Sequence, residues 1–211
     1  VWIDIPLDVQ ASKVDWPSLA GYEPPSAPAV VPAAALQSKA AAIIDRINAA
    51  KRPVLMAGHG VRLANAGAEF REVYESLGIP VLTTWNAMDL IPGTHPLAMG
   101  KPGVVALRAP NFVVQNSDLM LIVGSRLENL VTAFNPSKFG RNAEKIFVDI
   151  DSNELKKFSS DMRIAETVVA DAKDFLDAMI AEKHRIAAVD RSVWLDRCAE
   201  WKKRYPINDG K

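Results

Sequence analysis

Short, uniformly apolar runs alternate with amphipathic or Ala-rich stretches along most of the chain. Residues 54–57, 81–84, 119–123, 145–150 and 166–170 read as strands, and 1–5 (Val1-Trp-Ile-Asp-Ile5) as a further buried strand. Between them, 35–50 reads as a helix with Ile43, Ile44 and Ile47 on one stripe, and 64–77 as a helix stopped by Gly78. Helices are also expected at 104–116, strained by Pro110, at 171–183, and at 191–204. The last carries Trp194, Leu195, Cys198 and Trp201 on one face. Residues 6–32 are rich in Pro, Ser and Ala without a sustained period, and read as an extended linker. Strands that do not alternate in polarity are buried on both faces. The pattern therefore predicts a doubly wound parallel α/β sheet with helices on each side, and ligands outside the carboxyl ends of its strands.

Composition narrows the picture. The 211 residues suit one domain with an appendage. Lys plus Arg and Asp plus Glu are 25 each, so no global field recruits nucleic acid or an anionic membrane. No apolar run reaches membrane-spanning length, and no secretory signal is evident. A single cysteine, Cys198, excludes an internal disulfide and a four-cysteine zinc site, and fits a reducing, cytoplasmic setting. The chain opens at Val1 inside a strand pattern and closes at Lys211 shortly after a helical one. It therefore reads as part of a longer protein.

Four segments carry candidate chemistry. Gly58-His-Gly60 follows a strand and precedes a helix, with the spacing Gly-x-Gly-x-x-Ala. Such a turn brings backbone N–H groups to a pyrophosphate, or it is a plain β-α turn that needs small residues. His59 between the glycines reads as a pocket-lining turn residue; a catalytic base would need a partner that the sequence does not offer. Gly124-Ser-Arg126 leaves the most apolar strand and puts a guanidinium where phosphate would bind, or where a surface ion pair would form. Asp149 and Asp151 end a strand, one suited to ribose hydroxyls and the other to helix capping. Gly100-Lys-Pro-Gly103 is a loop where backbone could approach a ligand, and Lys138, Arg141 and Lys145 read as a solvated basic sprinkle. No phosphate-loop, nucleophile-elbow or His-Glu-x-x-His motif is present, so no catalytic residue or metal ligand is assigned.

Taken in order, these motifs resemble the acetolactate synthase large-subunit branch of the thiamine diphosphate-dependent enzymes. Val1-Trp-Ile-Asp-Ile-Pro-Leu-Asp-Val-Gln10 is similar to the end of that family's pyrimidine-binding domain. Lys51-Arg-Pro-Val-Leu-Met-Ala-Gly-His-Gly60 is similar to the opening of its central domain. Asn111-Phe-Val-Val-Gln-Asn-Ser-Asp-Leu119, Ile122-Val-Gly-Ser-Arg-Leu127 and Phe147-Val-Asp-Ile-Asp-Ser-Asn-Glu-Leu155 resemble that domain's middle and later strands. The resemblance implies a six-stranded, Rossmann-like central domain over 35–185. It implies a remnant of the preceding domain at 1–10, a linker at 11–34, and an exit helix and linker at 186–211. It implies FAD or ADP here, and thiamine diphosphate with Mg²⁺ in flanking domains of a homodimer or homotetramer, with no nucleic-acid or membrane partner. By resemblance, Gly58, His59 and Gly60 meet the pyrophosphate region. Thr84, Trp85, Gly100 and Lys101 line the flavin path, and Gly124 and Arg126 reach phosphate. Asp149 and Ile150 hold ribose and adenine, and Asp171 sits beside the adenine. The sequence departs from the family's usual pattern at Leu130, where a second Arg is usual, and at Ala170. A scaffold domain with a vestigial pocket is the alternative.

Overall fold

The computed structural model describes residues 2–24, 31–158 and 162–206. A six-stranded, all-parallel sheet is built from β1 (Pro53–Ala57), β2 (Val81–Thr83), β3 (Ala98–Gly100), β4 (Leu119–Val123), β5 (Glu144–Asp149) and β6 (Ile164–Val169), in the order β3-β2-β1-β4-β5-β6. The helices are α1 (Leu7–Gln10), α2 (Ala33–Ala49), α3 (Gly60–Leu63), α4 (Gly67–Leu77), α5 (Arg108–Asn116), α6 (Asn129–Thr132), α7 (Ser152–Lys156), α8 (Ala172–Ala181) and α9 (Ser192–Arg204). The chain winds outward through β1, β2 and β3, then returns to place β4 on the other side of β1. This is the doubly wound arrangement, with its switch point between β1 and β4.

Each central strand feeds two cores. Leu55 and Ala57, with Leu119, Leu121 and Val123, pack under α2, α4 and α8. Val54 and Met56, with Met120 and Ile122, pack under α5 and α9. Side chains alternate across a strand, so a strand covered on both faces must be apolar at every position. β1 and β4 are buried at all five positions each. The last helix belongs to this architecture: Trp194 and Cys198 are buried in the second core. Burial pushes the Cys198 thiol up to about 12.

Several expectations need correction. Residues 2–6 form no strand; Trp2 and Ile3 are 87% and 75% exposed, because no strand of the sheet pairs with them. Val1 lies outside the described residues. The 6–32 segment is not extended throughout, since α1 and a 3₁₀ turn at Trp16–Ser18 interrupt it; residues 25–30 lie outside the described set. The helix expected at 64–77 starts later, at Gly67, and a separate one-turn helix, α3, precedes it. Asn65 at φ +52°, which an Asn tolerates, breaks the chain between them, and α4 stops at Gly78 with φ +59° as expected. The helix expected from 104 starts at Arg108. Pro110 then falls in the first turn, where its missing N–H breaks no helical bond. β3 went unread because three residues, Ala98-Met-Gly100, carry too little period to register, and its Gly100 closes a strand. Lys145 is not part of a solvated sprinkle. It is 1% exposed, its ammonium donates to the Gly140 and Ala143 carbonyls, and burial, with Arg163 nearby, pulls it down to about 8. Residues 207–211, the last part of the expected exit linker, lie outside the described residues.

Candidate functional site

The residues singled out from the sequence gather along one edge of the sheet, at the carboxyl ends of the strands. β1 leads into Gly58-His59-Gly60 and β4 into Gly124-Ser125-Arg126. β2 leads into Thr84 and Trp85, β3 ends at Gly100 before Lys101, β5 ends at Asp149 before Ile150, and β6 runs to Asp171.

At the switch point the two glycine turns lie against each other. Gly58 N–H donates to the Val123 carbonyl, Gly60 N–H to the Gly124 carbonyl, and Gly124 N–H to the Val148 carbonyl, each at 2.9 Å. A Cβ on Gly58 would stand 2.1 Å from the Gly124 oxygen, and one on Gly60 would stand 2.7 Å from the Gly124 Cα. Gly124 itself sits at φ +61°. These glycines let backbone meet backbone, and their donors are largely consumed within the protein. The helix they open, α3, is a single turn, so the dipole of a long helix is not aimed at this turn. His59 is exposed, and its Nδ1 pairs with the Asn86 carbonyl at 2.9 Å. No carboxylate or nucleophile accompanies it among the described residues. It acts as a tie between the turn and the segment after β2.

On the β5 side, Asp149 is half-buried. One of its oxygens accepts the Asp151 N–H at 3.0 Å, and the other takes no hydrogen bond from the described residues. Burial raises this carboxyl above its usual range, aided by Glu154 and Asp151 and opposed by the Asp151 N–H and the Arg126 guanidinium. Arg126 is exposed and makes no ion pair among the described residues. Asp151 takes the capping role: its Oδ1 accepts the Asn153 N–H at 2.8 Å and starts α7. Asp171 likewise caps α8 through Lys173 N–H, and Ile150 is 47% exposed at the rim.

On the β2–β3 side, Trp85 and Lys101 come together, with the Lys101 ammonium 3.4 Å from the indole centre. Beside Lys101 lies a cleft of about 680 Å³. Its mostly apolar wall, with Met88, Met99 and Leu107, was not anticipated from the sequence, because the residues come from separate segments with no shared spacing. Gly103 does approach something closely, but it is the Leu130 carbonyl of α6 rather than open space: an added Cβ would stand 2.1 Å from it. Ser125, also unflagged, is buried and its Oγ accepts the Leu127 N–H at 3.3 Å, bracing the strained turn after Arg126.

A six-stranded sheet in this order, with this edge, narrows the chain to doubly wound folds. Comparison with known families decides among them. Residues 40–179 match the family model described as thiamine pyrophosphate enzyme, central domain. The chain belongs to this family. Similar relatives include the acetolactate synthase large subunit of Corynebacterium glutamicum, 35% identical over 98% of this chain and 32% of that protein. The acetolactate synthase isozyme 1 large subunit of Escherichia coli is 33% identical over 98% of this chain and 34% of its own length. The probable acetolactate synthase large subunit of Methanocaldococcus jannaschii is 34% identical over 96% and 34%. The chain thus spans about a third of the relatives it matches. It is an acetolactate synthase-like central domain of a thiamine diphosphate-dependent enzyme. Among the described residues no helix is long and apolar enough to cross a membrane, and no cluster of His, Cys, Asp and Glu could hold a metal ion.

Proposed function

We propose that this domain binds an adenine dinucleotide, FAD, along the carboxyl edge of its sheet. It would do so as the non-catalytic middle of a 2-oxo acid carboligase or decarboxylase of the acetolactate synthase type. The observation that carries the reading is that Arg126 stands near enough to Asp149, beside the switch point, for its charge to act on that carboxyl. One offers an exposed guanidinium without an ion pair among the described residues, and the other a half-buried carboxylate with one oxygen unengaged by them. That donor set fits an adenosine diphosphate group, the guanidinium for phosphate and the carboxylate for ribose hydroxyls. Lys101 follows β3 and Asp149 ends β5, four strand steps apart, roughly 19 Å at the usual strand spacing. A mononucleotide does not bridge that distance and a dinucleotide does, which favours FAD over ADP. Thiamine diphosphate with Mg²⁺, held by flanking domains of a homo-oligomeric parent, supplies the chemistry on the 2-oxo acid. The present residues hold the nucleotide and space those domains. The reading divides the chain at 1–10, 11–34, 35–185 and 186–211, and assigns the parent to the cytoplasm.

A second reading has its own support. The Gly58, Gly60 and Gly124 amides already donate to backbone carbonyls of Val123, Gly124 and Val148, as expected of a scaffold that needs no ligand there. Thermal-shift titration of the chain with FAD and ADP separates the two. A ligand at about 100 times its Kd adds roughly 2.7 kcal/mol, a rise of roughly 5–10 °C for a domain of this size. A saturable rise that is lost in Arg126→Ala supports the nucleotide domain. No rise with either ligand leaves the scaffold.

A further inference from the structure

A second cleft, also of about 680 Å³, opens at the other edge of the sheet, where the chain enters the strands. It lies between the end of α2, the Lys51-Arg52 turn into β1, the end of α5 and the first turns of α9. Its volume lies within the range of small-ligand pockets. A nucleotide on the carboxyl edge gives it no role.

Lys51, Arg52, Arg191 and Arg197 line this cleft against one acid, Asp190. Several of these charges are engaged. Arg52 Nε donates to the Asn116 carbonyl, Arg197 pairs with Glu200, and Asp190 Oδ1 accepts the Ser192 N–H. The nearby Asp118 gives its two oxygens to the Lys51 and Arg52 amides. Two cations are left over. The Lys51 ammonium is exposed and has no acidic partner among the described residues. Arg191 is only 8% exposed. Its Nη2 donates to the Ile47 carbonyl at 2.5 Å and reaches the Asn48 carbonyl at 3.5 Å, which closes α2. Its Nε is buried without a hydrogen-bond partner, and no carboxylate of the described residues pairs with the guanidinium. A cation this far out of water gains most from an anion brought to it. The start of the 13-residue helix α9 adds to the pull. No described residue accepts the Val193 and Trp194 amides, and both residues line the cleft.

The rest of the wall is apolar and rigid. Trp194 is held by its indole N–H on the Pro53 carbonyl, and Trp201 meets it edge to face at 6.0 Å. Val193, 84% exposed, stands at the mouth. Phosphate would have no use for such a wall, whereas a flat ring would. We propose that this cleft is a second ligand site, for a small aromatic carboxylate, with the carboxylate on Arg191 and Lys51 and the ring against Trp201 and Val193. The site is separate from the nucleotide edge and does not depend on that reading.

The test is titration of the 211-residue chain with 2-naphthoate, and with its uncharged isostere 2-naphthamide, by calorimetry and thermal shift. 2-Naphthoate is expected to saturate a single site, and 2-naphthamide to bind about tenfold more weakly or less. Lys51→Met and Val193→Asp change exposed side chains. Each is expected to keep the melting temperature of the free chain and to weaken 2-naphthoate about fivefold or more. Arg191→Gln is expected to abolish binding and, because Arg191 also closes α2, to lower the melting temperature; the two surface variants carry the test if it fails to fold. Added FAD is expected to leave 2-naphthoate affinity unchanged. The proposal is overturned if 2-naphthoate does not saturate, if the amide binds as tightly, or if neither surface variant weakens binding. Competition by FAD would put the ring on the carboxyl edge and overturn it as well, while failure of FAD to bind at all leaves this site standing.

Discussion

The switch point and the β2–β3 rim share one edge of one sheet, yet they spend their polar groups differently. At the switch point, Gly58, Gly60 and Gly124 bring two turns into backbone contact, and their amides donate to the Val123, Gly124 and Val148 carbonyls. At the rim, Trp85 is part-exposed, Lys101 has only the indole among the described residues, and a cleft opens beside Lys101. The first region is locked by packing and is intolerant of added atoms. The second is arranged so that something else can complete it. The lesson is that a glycine-rich turn at a strand end is not by itself a ligand cradle. What surrounds the missing Cβ decides, and here it is protein.

The largest expected effect breaks the closed region. Gly58→Ala places a methyl 2.1 Å from the Gly124 carbonyl, with backbone on both sides and no flexible side chain to yield. Overpacking of this kind costs about 3 kcal/mol, a fall of roughly 6–12 °C in melting temperature. An unchanged melting temperature would mean that the two turns are not in contact. A smaller effect of opposite sign is expected on the arm that follows Arg126, where Leu127, Ala133 and Phe134 all adopt positive φ. Ala133, at φ +56°, lacks the glycine that this conformation favours. Ala133→Gly is expected to stabilise the chain by about 1 kcal/mol, a rise of roughly 2–4 °C, measured by the same melt.

The smallest effect sharpens the comparison at the open rim. Burial holds the Asp149 carboxyl above its unfolded range, so the native state binds more protons than the unfolded one in that window. Its contribution to stability is therefore present below the unfolded pKa and is lost as pH rises through the raised folded value. Asp149→Asn keeps an oxygen for the Asp151 N–H and removes the charge. It is expected to stabilise the chain at neutral pH by no more than about 0.5 kcal/mol after solvent screening, to flatten that part of the pH profile, and to weaken FAD. Denaturant melts across acidic to neutral pH check the first two effects, and a FAD titration checks the third. A variant that is less stable at neutral pH would show that the carboxylate is a structural group.

Legibility followed the physics of each element. β1 and β4 stood out because burial on both faces demands an apolar residue at every position. The cap at Asp151 was readable because a carboxylate before a helix bonds its first amides locally, and Asp171, expected only beside an adenine, takes the same capping role. β3 was not readable, because three residues joined to β2 by long-range pairing leave little local trace. Residues 2–5 misled for the converse reason: they are as apolar as a strand, but apolarity does not supply a neighbour to bond with.

The sequence by itself determined the class of sheet, the central strands, the Asp151 cap, the family, and most of the loops at the carboxyl ends of the strands. These depend on local pattern or on motif order, which neighbouring residues write directly. Only the tertiary structure decided that the glycine turns close on each other, that Lys145 is buried against two carbonyls, and that Trp85 and Lys101 form a pair beside an apolar cleft. Those outcomes depend on which strands become neighbours. Two loops more than sixty residues apart meet because β1 and β4 pair across the switch point, and no local spacing records that pairing.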